Sequence, residues 1–183
     1  MRRPRGDGRG NLRGPTIDDL ARQFRPAWLR AAHAVSTSPP DDCAIVSARG
    51  LAAPRERVFA AFSDPAVLAL WWGPRGFTNE FHEFDFRPGG AWRFTMRGPD
   101  GAAYAMDQRF LQIVAPERIV VRHSQPGHDF SLAMTLAETD GGTELTWRML
   151  FDDPAEAARL REFIAAANEQ NLDRLAAVLA GAQ

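Results

Sequence analysis

Toward the end of the chain, apolar residues recur at steps of three and four: Leu160, Phe163, Ile164, Ala167, Leu172, Leu175 and Leu179. This period predicts one amphipathic helix over Pro154–Leu179. Asp153 can cap it, Pro154 takes the first helical position, Glu156 completes a D-x-x-E box, and Gly181 follows as a terminator. Such a helix would be roughly 39 Å long, and its apolar side requires a partner surface.

Upstream the period falls to two. From Phe77 to Phe86 the alternation sets His82, Phe84 and Phe86 on one face against Phe81, Glu83 and Asp85. Trp92, Phe94 and Met96 alternate with Arg93, Thr95 and Arg97. Tyr104, Met106, Gln108 and Phe110 oppose Asp107, Arg109, Leu111 and Ile113. Ile119–His123 follows, then Phe130, Leu132, Met134 and Leu136, then Leu145, Trp147, Met149 and Phe151. Turn strings such as Pro88-Gly89-Gly90, Pro99-Asp100-Gly101 and Asp140-Gly141-Gly142 separate the runs. Six strands with short joints predict an antiparallel meander. Cys43–Leu51 predicts a seventh strand ahead of them, with Ile45 and Val46 at its centre. Between lie two short helices, one from Pro54 to Phe62 and one after the cap Asp64-Pro65, ended by Gly73-Pro74. The fold class is therefore α+β in the order strand, two helices, six strands, helix, the long helix covering one face of a curved sheet.

Charge changes the picture mainly at the N-terminus. All 22 basic residues are arginine, which excludes Schiff-base and lysine-nucleophile chemistry. The net charge of -1 advertises neither nucleic acid nor a membrane surface, and no apolar run is long enough to span a bilayer. Cys43 alone leaves no internal disulfide and favours a reducing, cytoplasmic setting. Residues 1–33 hold eight arginines against three aspartates, leaving 14 arginines against 20 acids elsewhere. Residues 1–14 have little to bury and are expected to be disordered; short helical patterns follow from Thr16 and Ala27. Ser36–Asp42 has a linker composition. Residues 1–42 thus read as an Arg-rich extension, dispensable or an over-long gene start, and residues 43–181 as the domain. A basic arm for an acidic partner and an organelle-targeting peptide are the alternatives.

The inner face of the sheet is rich in aromatic and methionine side chains, which either fill the space under the helix or line a cavity. The candidate lining residues are Trp71, Trp72, Phe84, Trp92, Phe94, Tyr104, Phe110, His123, Met134, Trp147, Asn168 and Asn171. Trp71 and Trp72 either stack on a ligand at the rim or pack a helix end against the sheet. Asn168 and Asn171 lie beside the helical stripe: buried, they need partners that a ligand can supply; at the margin, water serves them. Gly89-Gly90 lacks the spacing and the lysine of a phosphate loop and reads as a hairpin turn, with Asp85 and Arg87 as its local ion pair. Asp107 and Arg109 read as an ion pair on the solvent face. No histidine pair has the helical spacing of a metal site, and no Ser–His–Asp or Cys–His order stands out. No metal, cofactor or catalytic residue is expected.

Several strings occur in a specific order: Pro54-Arg55-Glu56-Arg57-Val58-Phe59, Asp64-Pro65, Trp71-Trp72-Gly73-Pro74-Arg75-Gly76-Phe77-Thr78, Asp85-Phe86-Arg87-Pro88-Gly89-Gly90, Pro99-Asp100-Gly101, Pro116-Glu117-Arg118 and Gly141-Gly142-Thr143. Together they resemble the family of the C-terminal domain of the Hsp90 ATPase activator, within the START-like, polyketide-cyclase-like group, over residues 43–180. The resemblance implies the helix-grip fold, with a pocket between sheet and helix. It implies non-catalytic binding of a small hydrophobic molecule. A cyclase- or hydrolase-type enzyme using the same cavity is the first alternative. A protein-interaction module, as a chaperone cofactor or through self-association, is the second. Two departures stand out. Asn168-Glu169-Gln170-Asn171 stands where the family's last helix commonly carries a Gly-Trp pair, and the 42 residues ahead of the fold leave no room for the N-terminal domain of eukaryotic activators.

Deleting residues 1–40 is expected to leave the unfolding midpoint and ligand uptake unchanged. A lowered midpoint in a denaturant titration would make that segment part of the fold.

Overall fold

The computed structural model describes residues 41–125 and 128–181; the expectations for residues 1–40 lie outside them. A 3-10 turn at Asp41–Cys43 leads into β1 (Ala44–Leu51), followed by α1 (Arg55–Ser63), α2 (Pro65–Trp71), β2 (Thr78–Phe84), β3 (Ala91–Arg97), β4 (Ala103–Val114), β5 (Arg118–His123), β6 (Phe130–Thr139), β7 (Gly142–Phe151) and α3 (Pro154–Leu179). The seven strands make one antiparallel sheet in the order β1-β7-β6-β5-β4-β3-β2. The last six form the meander, and β1 adds to β7 at the far edge, pairing Ala44 with Leu150 through Leu51 with Thr143. With α3 laid across the inner face, this is the helix-grip arrangement.

The helix starts follow from their capping residues. Asp64 and Asp153 each accept a hydrogen bond from the backbone N–H two residues on, at 2.9 Å, and each is followed by proline at the first helical position. The D-x-x-E box of α3 does not close as such. Glu156 is buried and its carboxylate accepts from His128 and Arg159 instead of turning back on the helix end. The Pro88-Gly89-Gly90 turn forms as expected, with Arg87 and Asp85 paired beside it. A Cβ on Gly90 would sit 1.9 Å from the Asp85 carbonyl oxygen, so only glycine fits there.

Two β-bulges shift the alternation. One lies between Phe81 and Glu83, the other between Phe110 and Gln112. The first turns His82 outward, where its Nε2 lies 2.8 Å from Thr95 Oγ1, and lets Phe81 join Phe84 and Phe86 against the core. The second brings Ile113 to the same side as Phe110. Both corrections have one cause: an extra residue on one strand inverts the face of everything beyond it. Asp107 and Arg109 stay on the outer face but do not pair with each other. Asp107 meets Arg93, and Arg109 donates to the Gly89 carbonyl.

The buried face of α3 runs through Ala157, Ile164, Asn168, Asn171, Leu172, Leu175 and Leu179. Phe163, expected on the stripe, is 72% exposed. Polar side chains fix the helix to its surroundings. Arg49 of β1 reaches Glu169 and Asp173, and Arg161 donates to the carbonyls of Ala44 and Asp42. Arg174 donates to the carbonyls of Leu70, Gly73, Pro74 and Phe77, clamping the α2–β2 connection. Burial alone pushes its guanidinium pKa down, and carbonyl dipoles rather than a carboxylate hold the charge.

Arg174→Ala is expected to cost about 2 kcal/mol, because it strands several of those acceptors. Arg174→Lys should recover only part of the loss, since an ammonium lacks the planar fork. Urea unfolding of the three proteins checks this; equal stability would show that the clamp contributes nothing.

Candidate ligand-binding site

The space under α3 is unevenly filled. Toward α1 and α2 it is solid aromatic core. Trp71 is fully buried, donates through Nε1 to the Ala61 carbonyl at 3.1 Å, and packs on Phe62, Trp72 and Trp147. Trp72 lies 4.8 Å from Trp92 and 5.2 Å from Trp147, ring centre to ring centre. Trp92 stacks on Phe94 and Phe110, and Phe84 packs edge-on to both Trp92 and Phe110. Met134 is buried in the same core. These eight side chains, expected to line a cavity, are placed in mutual packing instead. The physical reason is that indole and phenyl rings in edge and stacked contact fill the space between them.

Toward the other end of α3 the sheet and helix part around a cavity of about 410 Å³. Its floor comes from Met96, Tyr104, Met106, His123, Phe130 and Met149 on the sheet; its roof from Leu160, Phe163, Ile164, Ala167 and Asn168 on α3. Pro74, Phe77, Gln125 and His128 complete the lining. Of the expected lining residues, Tyr104, His123 and Asn168 are brought together here. Tyr104, at 49% exposure, and Phe163 stand at the mouth. A second depression of about 570 Å³ lies at the opposite end of β6, between Ala52–Glu56 and Glu138–Gly142. It is an open, polar notch between two turns, unsuited to excluding water from a ligand.

The polar residues of the cavity differ in how well they are satisfied. Asn168 is 5% exposed; its Nδ2 donates to Ser47 Oγ at 3.3 Å and reaches Met149 Sδ at 3.7 Å. Asn171, also buried, accepts from the Gly73 N–H and donates to the Ala167 carbonyl, so it pins the α2–β2 connection and lies off the cavity wall. Both asparagines are thus inside the protein, not at a wet margin. His128 brings Nδ1 within 2.8 Å of Glu156 Oε1, which sets Nδ1 as the donor; Arg159 approaches the same oxygen at 3.4 Å. His123 is fully buried, stacked on Phe130 at 4.8 Å, and neither ring nitrogen has a hydrogen-bond partner among the described residues. Burial, with His128 nearby as the next cause, pushes its pKa below the ordinary histidine value.

The His128–Glu156 contact was not foreseen, because the two residues stand 28 apart in sequence. The one available signal was the glutamate's place three residues after a cap, which suits a capping box equally well. Neither His123 nor His128 contacts a serine or cysteine hydrogen-bonding group among the described residues, so no nucleophile relay is assembled. No group of three His, Cys, Asp or Glu side chains there is arranged to hold a metal.

A family model described as Activator of Hsp90 ATPase homolog 1-like protein matches residues 52–180. Solved structures of similar shape include a Chromobacterium violaceum protein, 33% identical, with a TM-score of 0.66 over 74% of this chain and 96% of its own. A Nitrosomonas europaea protein is 20% identical with a TM-score of 0.73, covering 78% of this chain and 97% of its own. The AHSA1 protein of Silicibacter pomeroyi is 22% identical with a TM-score of 0.62, covering 76% and 99%. No curated protein sequence matches significantly.

The neutral state of His123 carries a pH signature. Below about pH 6.5 the unfolded chain binds a proton at His123 more readily than the folded chain, so stability should fall as pH drops below that value. In denaturant titrations between pH 7.5 and pH 5, His123→Phe should reduce this loss; an unchanged slope would mean that His123 titrates normally.

Proposed function

This chain belongs to the activator of Hsp90 ATPase homolog 1-like family, and we propose that the domain binds a small hydrophobic molecule in the cavity between α3 and the sheet, without chemistry. The cavity itself carries the reading. Its volume falls in the range of small-molecule sites, about 300–1,000 Å³, and its wall is mostly methionine, phenylalanine, leucine and isoleucine. Methionines adapt to more than one shape, which suits a site selecting for apolarity and size. Asn168, His123 and Tyr104 are the polar anchors. Trp71, Trp72, Trp92 and Trp147 belong to the packed core, outside the cavity lining.

The enzyme reading has less support: the cavity offers an oriented imidazole at His128 but no adjacent nucleophile. A protein-interaction role would use a contiguous apolar patch. The exposed Val46, Leu70 and Val114 stand on three different elements, β1, α2 and β4.

Titration with the uncharged fluorescent probe N-phenyl-1-naphthylamine tests the reading. Saturable uptake is expected in the wild type and near-complete loss in Ala167→Trp, which fills the roof, with the fold retained by circular dichroism. Absence of uptake by the wild type, or undiminished uptake by Ala167→Trp, would move binding out of this cavity. Native mass spectrometry before and after organic extraction would then show whether the protein carries a ligand at all.

A further inference from the structure

The cavity reading leaves open what kind of apolar molecule belongs there, and the unpaired groups inside the wall narrow it. Trp92, Gln108, His123 and Phe130 are register partners across β3, β4, β5 and β6, forming one row on the inner face. Within that row both nitrogens of His123 and Oε1 of Gln108 are buried and unpartnered among the described residues. The two imidazole nitrogens point away from opposite sides of the ring, so one carboxamide cannot serve both. Gln125 lies near enough to act on His123 but spends its Nε2 on the Ala105 carbonyl; even with Gln108 turned to meet one nitrogen, the other has no bonded partner among the described residues, and His123 lines the cavity. An unmet buried nitrogen of this kind is destabilising.

The charge inventory of the wall limits what that partner can be. Among the described residues the lining contains no arginine, aspartate or glutamate. Glu156 is held by His128 and Arg159, and the carboxylates of Asp107 and Asp129 lie near enough to act on His123. A ligand carboxylate would enter a space with no fixed cation and an anion close by, and would lose its hydration without return. A ligand ammonium would meet no wall carboxylate. His123 stays uncharged, so it presents one N–H donor and one bare nitrogen acceptor. Asn168 adds a carbonyl oxygen: its Nδ2 is turned to Ser47 and Met149, and no described group donates to Oδ1.

Building on the cavity reading, we infer that the ligand is an uncharged, hydroxyl-bearing apolar compound, an alcohol or phenol, whose hydroxyl is recognised by His123 with Asn168 beside it. A hydroxyl both donates and accepts, so it matches either tautomer of His123; where it accepts from the imidazole N–H, its own proton is left to donate to Asn168. A ketone could use only the N–H, and a pure hydrocarbon would leave both groups unmet. Tyr104 and Phe163 line the same cavity and add apolar area for the body of such a molecule.

The test compares three compounds of nearly equal shape, naphthalene, 1-naphthol and 1-naphthoate, displacing N-phenyl-1-naphthylamine from the full-length protein at pH 7.5. The naphthol should bind roughly tenfold more tightly than naphthalene, the gain of one net hydrogen bond, and the naphthoate more weakly than either. In His123→Phe the naphthol should lose that advantage while naphthalene keeps its affinity. Equal binding of naphthol and naphthalene by the wild type would overturn the inference and leave the cavity reading standing, with water the partner of His123. Preference for the naphthoate would overturn it in favour of an anionic ligand. Failure of the probe and all three compounds to bind would sink the cavity reading and this inference with it. The wild-type ranking needs no variant, so the test survives even if His123→Phe does not fold.

Discussion

One helix cannot cover seven strands, and the rest of this structure follows from that mismatch. Strands about 4.8 Å apart make a seven-stranded sheet about 29 Å across, whereas a helix with its side chains is about 10–12 Å wide. The curved sheet reduces the difference without removing it. What remains must be filled by other side chains or left open. At the α1–α2 end the chain fills it with tryptophan and phenylalanine, the largest apolar volumes available. At the N-terminal half of α3 it does not, and the roof residues there, Ala167 and Ile164 among them, are too small to meet the methionines of the floor.

A gap of that kind persists only if the helix cannot collapse onto the sheet. The anchors of α3 are placed accordingly. Arg49 and Arg161 hold it to the β1 edge, and Arg174 and Asn171 hold the α2–β2 connection against its C-terminal half. Each uses backbone carbonyls, a backbone N–H or carboxylates at the margin of the core, while the centre of the stripe stays apolar. Leu172, Leu175 and Leu179 bury the C-terminal half against the aromatic core and set the height of the N-terminal half above the sheet. The cavity is thus a consequence of where packing is complete as much as of where it is missing.

The polar groups around the cavity differ in satisfaction. Buried Glu156 has two partners; His128, partly exposed, has one; His123, fully buried, has none among the described residues. A buried imidazole avoids charge, so the least satisfied group is also uncharged. An apolar wall with one unmet, uncharged group is an environment that discriminates between ligands of similar size by their hydrogen-bonding capacity.

Much of this was legible in the residues themselves. Asp64-Pro65 and Asp153-Pro154 mark helix starts because a carboxylate and a proline suit the first turn wherever the helix sits. The strands show because their alternation is local. The Pro88-Gly89-Gly90 turn shows because no side chain fits beside Asp85. What tertiary structure alone decided are relations between distant residues. The bulges at His82 and Leu111 arise from pairing with β3 and β5, and local alternation reads Phe81 and Ile113 onto the wrong face without them. The division of the aromatic residues between solid core and cavity wall depends on which end of the sheet α1 and α2 reach. Trp92 and Met96 lie on one strand, face one way, and fall on opposite sides of that division. Tyr104, His123 and Asn168 carry no local mark of a shared site. They meet because β4, β5 and α3 cross there, and the chain says which residues can face inward but not where the inside is left empty.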